Sequence, residues 1–182
     1  MAHIELDDNV PGLPSLLRFR PETAGPLSAL AEALLRGPGP LPRGERELIA
    51  AYVSELNGCR FCASSHGACA AAQLPGGMTL VQQVHADPGA APVSGKLKAL
   101  LGIAAAVQRG GREVGDEHIA AARDAGATDV EIHDTVLIAA AFCMYNRYVD
   151  GLATSAPENP AAYAQMAERL VVDGYGAAAA PR

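Results

Sequence analysis

The sequence predicts an all-α fold, and three observations carry that prediction. Of 182 residues 37 are alanine, the strongest intrinsic helix former, while tryptophan is absent and phenylalanine occurs 3 times. Apolar residues recur at helical spacing, as in Leu48, Ile49, Tyr52, Val53 and Leu56. No strand-length alternation flanks a hairpin dipeptide, since Asn57-Gly58 falls between two helical patterns. A chain of this length buries roughly 70% of its unfolded surface. The expectation is therefore one domain with one core.

Taken in order, residues 1–20 read as an irregular N-terminal arm, broken by Pro11 and Pro14. Residues 21–173 read as a single all-α domain and 174–182 as a flexible tail. Within the domain a first helix over 22–36 ends at the Gly37-Pro38-Gly39-Pro40 run. The stripe from Leu48 to Leu56 predicts a helix over 42–56, stopped by Asn57-Gly58. The next helix spans 60–73, before Pro75, and a short one spans 78–86. Leu97, Leu100, Leu101, Ala104 and Val107 share one face of a helix over 94–109, which Gly110-Gly111 closes. A helix over 116–124 ends at Gly126. Thr128 with Glu131 three residues on forms the signature of a capping box for a helix reaching about residue 151. That segment is apolar on most sides, which predicts the buried central helix. Pro160 opens a last helix to about 172.

Charge narrows the class of partner. Lys plus Arg number 14 against 20 Asp plus Glu, a net charge of −6, and the basic residues are scattered. That field is the reverse of what a nucleic-acid binder needs. No stretch approaches the ~20 apolar residues of a membrane span, and the first residues lack the pattern of a secretory leader. A cytoplasmic location is the default, in which four cysteines are expected reduced, catalytic or metal-bound.

The most informative stretch runs from Asn57 to His66, with Cys59 and Cys62 three apart and His66 four residues further. On a helix, Cys62 and His66 share a face. Cys59 opens that helix, where free backbone N–H groups and the positive dipole end favour a thiolate. A thiolate attacks peroxides and disulfides, and a neighbouring thiol can resolve the sulfenic acid that results. Three readings of the pair stand side by side: inert packing cysteines, ligands of a zinc ion lacking an obvious fourth donor, or a redox couple.

These residues resemble the alkylhydroperoxidase D-like group of the carboxymuconolactone decarboxylase superfamily, and its peroxidase-related enzymes in particular. Redox members carry a Glu, 11 intervening residues and then Cys-x-x-Cys-x-x-x-His; here Glu47, Cys59, Cys62 and His66 occupy the four positions. The resemblance extends over about residues 10–170, including Phe142 to Gly151. It implies an alkylhydroperoxidase D-like helical fold in which the helices over 42–56 and 60–73 form a hairpin around the redox site. It implies that Cys62 attacks a hydroperoxide, Cys59 resolves, and Glu47 with His66 relays protons. It further implies a dithiol reductant, lipoyl-like or thioredoxin-like, no metal or organic cofactor, and self-association as a trimer or hexamer. Where some members have a histidine between the cysteines, this chain has Arg60-Phe61; a guanidinium lowers a thiol pKa but cannot shuttle protons. A lyase like the superfamily's namesake and a non-catalytic thiol sensor are the alternatives.

The remaining candidates have plainer readings. Cys69 and Cys143 read as core cysteines, His85 and His133 as surface or capping residues, and His118 as solvated. Asn146, Arg147 and Asp150, near a helix end, read as subunit or helix-end packing, with Arg147 and Asp150 an i, i+3 pair, or as lining of the active-site pocket. Gly76-Gly77 and Gly110-Gly111 lack the pattern of a dinucleotide site.

Overall fold

A computed structural model describes residues 1–7 and 9–176. Among them are nine α-helices and no strand: α1 (Leu13–Phe19), α2 (Pro21–Arg36), α3 (Arg43–Leu56), α4 (Arg60–Gln73), α5 (Gly77–Ala86), α6 (Gly95–Arg109), α7 (Asp116–Asp124), α8 (Asp129–Gly151) and α9 (Pro160–Asp173). The glycine and proline stops place almost every boundary within a residue of expectation. Ser94 caps α6 by accepting the Leu97 N–H, and Thr128 and Glu131 form the capping box of α8.

The buried central helix is α3, not α8. Every residue of α3 from Arg46 to Ser54 is buried, because α4, α6, α8 and α2 all pack against it. On α8 one face is buried through Ile138, Phe142, Tyr145 and Val149, while Val130, Leu137 and Met144 stay exposed. Those three recur every seven residues, so they form one apolar stripe on the outer face. The helix is apolar on most sides, yet this chain covers only one of them.

Two apolar clusters meet along α4. The larger joins α2, α3, α6 and α8 around Leu35, Leu48, Ile49, Leu100, Ile103, Ile138 and Phe142. The smaller gathers Leu16, Phe61, Val149 and Tyr163 around Cys59, Cys62 and Cys69. The cysteines thus lie in a separate apolar nest, lidded by the N-terminal segment.

That segment is not irregular throughout. Pro14 stands in the first turn of α1, where its missing N–H costs nothing, and Leu16 is fully buried. Gly12 has φ +63°, and a Cβ there would overlap the Phe61 ring; its N–H donates to the Ser155 carbonyl at 2.9 Å. Glycine is therefore required where the arm crosses the start of α4. The expected tail also departs from its reading at its first residues. Gly174 turns the chain at φ +81° and Tyr175 packs its side chain inward; residues 177–182 lie outside the described residues.

Candidate active site

The α3–α4 hairpin is closed by its turn residues. Gly58 adopts φ +71°; its N–H donates to the Glu55 carbonyl at 2.9 Å and the Cys59 N–H reaches back to the Ser54 carbonyl at 3.0 Å. This pair of bonds is a Schellman motif. One residue on, Cys59 is also the N-cap of α4. The position of the first cysteine is thus fixed by the end of one helix and the start of the next.

Cys62, in the first turn of α4, meets the Cys59 side chain. The Cys59 thiol, acting as hydrogen-bond donor to Cys62, pushes its own pKa up, and burial adds to the shift. The same hydrogen bond holds the Cys62 thiol below its ordinary range, against burial and with help from His66 and Asn146. The second sulfur is therefore the more acidic of the two, and the first its hydrogen-bond donor. Both are buried, at 0% and 4% exposure, and no disulfide joins them.

His66 lies one turn beyond Cys62. Its Nδ1 is 2.8 Å from Glu47 Oε2. A carboxylate can only accept, so Nδ1 carries the hydrogen and Nε2 is left as the basic nitrogen. Glu47 is 3% exposed and its burial is compensated by this contact and by one more. The imidazole plane is held by the edge of Phe142, with ring centroids 4.5 Å apart at 83°, and by Tyr175 stacked at 5.9 Å and 21°. The structure thus brings together all four residues that the sequence singled out.

A polar chain from α8 supports the sulfurs from the other side. Asn146, 1% exposed, donates to Ser54 Oγ at 3.0 Å and accepts from Asn57 Nδ2 at 2.8 Å. Asn57 in turn accepts from Gln108 at 3.0 Å. The small Ala51 and Ser54 permit this close approach of α8 to α3. Asp150 faces the Cys59 thiol and contributes to its raised pKa.

With that geometry in place, comparison with known proteins decides the family. The carboxymuconolactone decarboxylase family model matches residues 21–74 and 78–155. The chain belongs to this family. Its fold is alkylhydroperoxidase D-like, as two solved structures show. An uncharacterised peroxidase-related protein from Silicibacter sp. TM1040 superposes with a TM-score of 0.75 at 28% identity, over 85% of this chain and 79% of that one. A peroxidase-related protein from Ralstonia eutropha JMP134, described as an alkylhydroperoxidase AhpD core, gives 0.75 at 28% identity, over 87% and 81%. No curated protein matches the chain.

Among family members the four motif positions carry the resemblance, but Asn146 and Tyr175 matter here as well. Tyr175 donates its hydroxyl to Glu47 Oε1 at 2.7 Å across 128 residues of sequence. Sequence reasoning left Asn146 between helix-end packing and lining of the active-site pocket, and placed Tyr175 in a tail. No periodicity marks either contact; the only available signal was a lone aromatic between two glycines.

Other residues depart from their readings. Arg147 turns to the Cys143 carbonyl at 2.9 Å rather than to Asp150. Arg60 donates to the Ala156 carbonyl at 2.7 Å, fastening the α8–α9 linker over the start of α4. His85 is only partly at the surface, its side chain 18% exposed: burial lowers its pKa, Glu55 lies 3.6 Å from Nδ1, and the buried Nε2 has no partner among the described residues. His118 accepts the Gly115 N–H at 3.2 Å and so serves as a cap. Cys69, by contrast, is the core cysteine it was read as, buried at 1%, and its thiol is pushed up by that burial. Among the described residues no group of three or more His, Cys, Asp or Glu is arranged to hold a metal ion, and no helix is long and apolar enough to cross a membrane.

Two cavities flank the start of α4. One, of about 420 Å³, lies under the N-terminal arm against Gly58, Arg60, Phe61 and Asp150. The other, of about 520 Å³, lies between α4, α5 and α9 against Ser64, Gly67, His85 and Tyr163.

Proposed function

We propose that this protein reduces hydroperoxides with thiol electrons. The reading is carried by one arrangement: a low-pKa Cys62 bonded to the Cys59 thiol, with the Glu47–His66 pair one turn away. The Cys62 thiolate attacks the terminal oxygen of the hydroperoxide and the O–O bond breaks. His66 Nε2 has taken the Cys62 thiol proton, and it passes that proton to the departing alkoxide, which leaves as alcohol, with Cys62 now a sulfenic acid. The Cys59 thiol displaces water from that sulfur and closes the disulfide. A dithiol donor, lipoyl-like or thioredoxin-like, then attacks Cys59, because Cys62 with its lower pKa is the better leaving group. Glu47 holds the Nδ1–H tautomer and offsets the charge of the imidazolium. The 420 Å³ cavity is lined by Gly58 and Arg60, the chain neighbours of the buried Cys59. No metal or organic cofactor enters this scheme. The exposed stripe of Val130, Leu137 and Met144 supports self-association, as a trimer or hexamer, through α8.

Steady-state consumption of cumene hydroperoxide with a supplied dithiol tests the reading. Multiple turnover that Cys59→Ser abolishes is the expected result. A single stoichiometric oxidation would make the protein a thiol sensor instead. Decarboxylation of an anionic lactone that survives Cys59→Ser would make it a lyase.

A further inference from the structure

Tyr175 reaches the Glu47–His66 pair from beyond the last helix, and its backbone is held in place by three separate devices. Arg36 on α2 donates through Nη1 to the Leu170 carbonyl at 3.0 Å and the Val171 carbonyl at 2.7 Å, gripping the end of α9. Its Nε also donates to Glu32 Oε1 at 3.0 Å, which orients that carboxylate. Glu32 Oε2 then accepts the Tyr175 N–H at 2.8 Å. Between them Gly174 stands at φ +81°, and a Cβ there would lie 2.5 Å from Glu32 Oε2. A glycine is required for the chain to pass so close.

So placed, the phenol donates its hydroxyl to the Glu47 oxygen that His66 does not use, 2.7 Å away; the same hydroxyl lies 3.4 Å from His66 Nδ1 and beside the Cys69 thiol, and its ring stacks on the imidazole. We propose that Tyr175 is a positioning residue that sets the proton affinity of His66 through the Glu47 carboxylate. The proposal rests on the reading of His66 as the base of the site.

The reasoning is electrostatic. A carboxylate that receives hydrogen bonds on both oxygens is fixed in plane and stays ionised, so the Nδ1 proton remains on the ring and Nε2 stays free. The bond to Oε1 also draws negative charge away from Oε2, which weakens the pull of Glu47 on an imidazolium. Removing the hydroxyl returns that charge to Oε2 and makes the imidazolium easier to form. Tyr175 is a neutral donor throughout, because burial first and the Glu47 charge second raise its pKa well above the usual phenol range.

Other groups facing His66 do not supply this control. From α4 come Cys62, which feels the His66 charge, and Cys69, whose thiol meets the Tyr175 hydroxyl and not the ring; from α8 comes the uncharged edge of Phe142, and from α2 the Glu32–Arg36 pair, which stands against the Tyr175 backbone and is already mutually bonded. Glu47 is the carboxylate that touches the ring, and Tyr175 is the residue bonded to its other oxygen.

The test is an NMR titration of the reduced full chain labelled at histidine, with the His66 signal assigned by its loss in His66→Gln. Tyr175→Phe should move the His66 midpoint upward by about one pH unit, and the acid limb of Cys62 alkylation by iodoacetamide should move the other way, to lower pH, because a more stable imidazolium holds the thiolate. In a Glu47→Gln background the same change should leave the midpoint where it is. Gly174→Ala, which displaces the residue without altering its ring, should shift the midpoint in the same direction as Tyr175→Phe. An unchanged midpoint in Tyr175→Phe, or a shift that persists in Glu47→Gln, would overturn the proposal. Because the titration needs no turnover, a protein that consumes no peroxide but shows the shift would refute the hydroperoxidase reading alone.

Discussion

Glu47 on α3 and His66 on α4 meet at 2.8 Å across the helix hairpin, with the carboxylate 3% exposed. Neither residue belongs to an apolar stripe, and Glu47 is ordinarily a residue that stays in water. Its burial is sustained by the His66 N–H and the Tyr175 hydroxyl together. Replacing it by glutamine offers an amide N–H to a ring nitrogen that already carries hydrogen. Glu47→Gln is expected to lower kcat/KM for cumene hydroperoxide by about 10²-fold while Cys62 remains fully alkylatable at pH 9. Stopped-flow peroxide consumption checks this; an undiminished rate would remove Glu47 from the relay.

The two cysteines are unequal. Cys62 is held below the ordinary thiol range chiefly by the hydrogen bond from Cys59, whose own pKa is pushed up by the same bond. A thiol with a lowered pKa is ionised, and reactive, at a pH where its neighbours are not. Iodoacetamide at pH 7 is expected to label Cys62 before Cys59, as peptide mapping would show. Cys59→Ala removes the donor, raises the Cys62 pKa and should slow labelling at pH 7 by about tenfold, the effect falling away at higher pH. Earlier labelling of Cys59 would reverse the two roles.

Asn146 joins Ser54, Asn57 and the Cys62 sulfur at the buried face of α8. Alanine there removes the carbonyl that accepts from the Asn57 amide, leaving it the 3.6 Å contact to Cys143 Sγ, and removes the donor to Ser54 Oγ, which still donates to the Ala50 carbonyl. The expected loss is about 1–3 kcal/mol in urea unfolding of the reduced protein, together with a rise in the Cys62 pKa. A loss of stability with no change in the thiol titration would confine Asn146 to packing.

The helices were legible because their stops are chemical: Gly37-Pro38, Asn57-Gly58, Pro75, Gly110-Gly111 and Gly126 each forbid continuation. The same rule misjudged α1, since Pro14 counts as a breaker in a pattern search but suits a first turn. The centrality of α3 over α8 was hidden for a different reason. Arg46 and Glu47 give α3 a polar beginning, and only tertiary contacts show that both are satisfied inside the protein. In the site, the motif positions could be read because helical phase joins Cys62 to His66. The link from α3 to Tyr175 runs across 128 residues, and no local rule reports contacts of that span.

Arg46 illustrates how the loop before α3 is held. Its guanidinium, 5% exposed, donates to the carbonyls of Leu41 at 2.8 Å, Leu34 at 3.2 Å and Gly37 at 2.8 Å. These carbonyls end α2 and line the Gly-Pro loop, so one side chain satisfies acceptors that no N–H could reach. Arg46→Ala is expected to cost about 3 kcal/mol or more, with Arg46→Lys recovering only part because an ammonium cannot match the planar fork. Thermal unfolding of both variants measures the difference; full recovery by lysine would show that charge, not geometry, is what the loop requires.

Counting thiols by mass spectrometry after one equivalent of cumene hydroperoxide tests most directly whether Cys62 meets the oxidant and Cys59 resolves it. The wild type should lose two thiols as a Cys59–Cys62 bridge, and Cys62→Ser should lose none. Oxidation that instead pairs Cys69 or Cys143, or that proceeds unchanged in Cys62→Ser, would contradict that assignment.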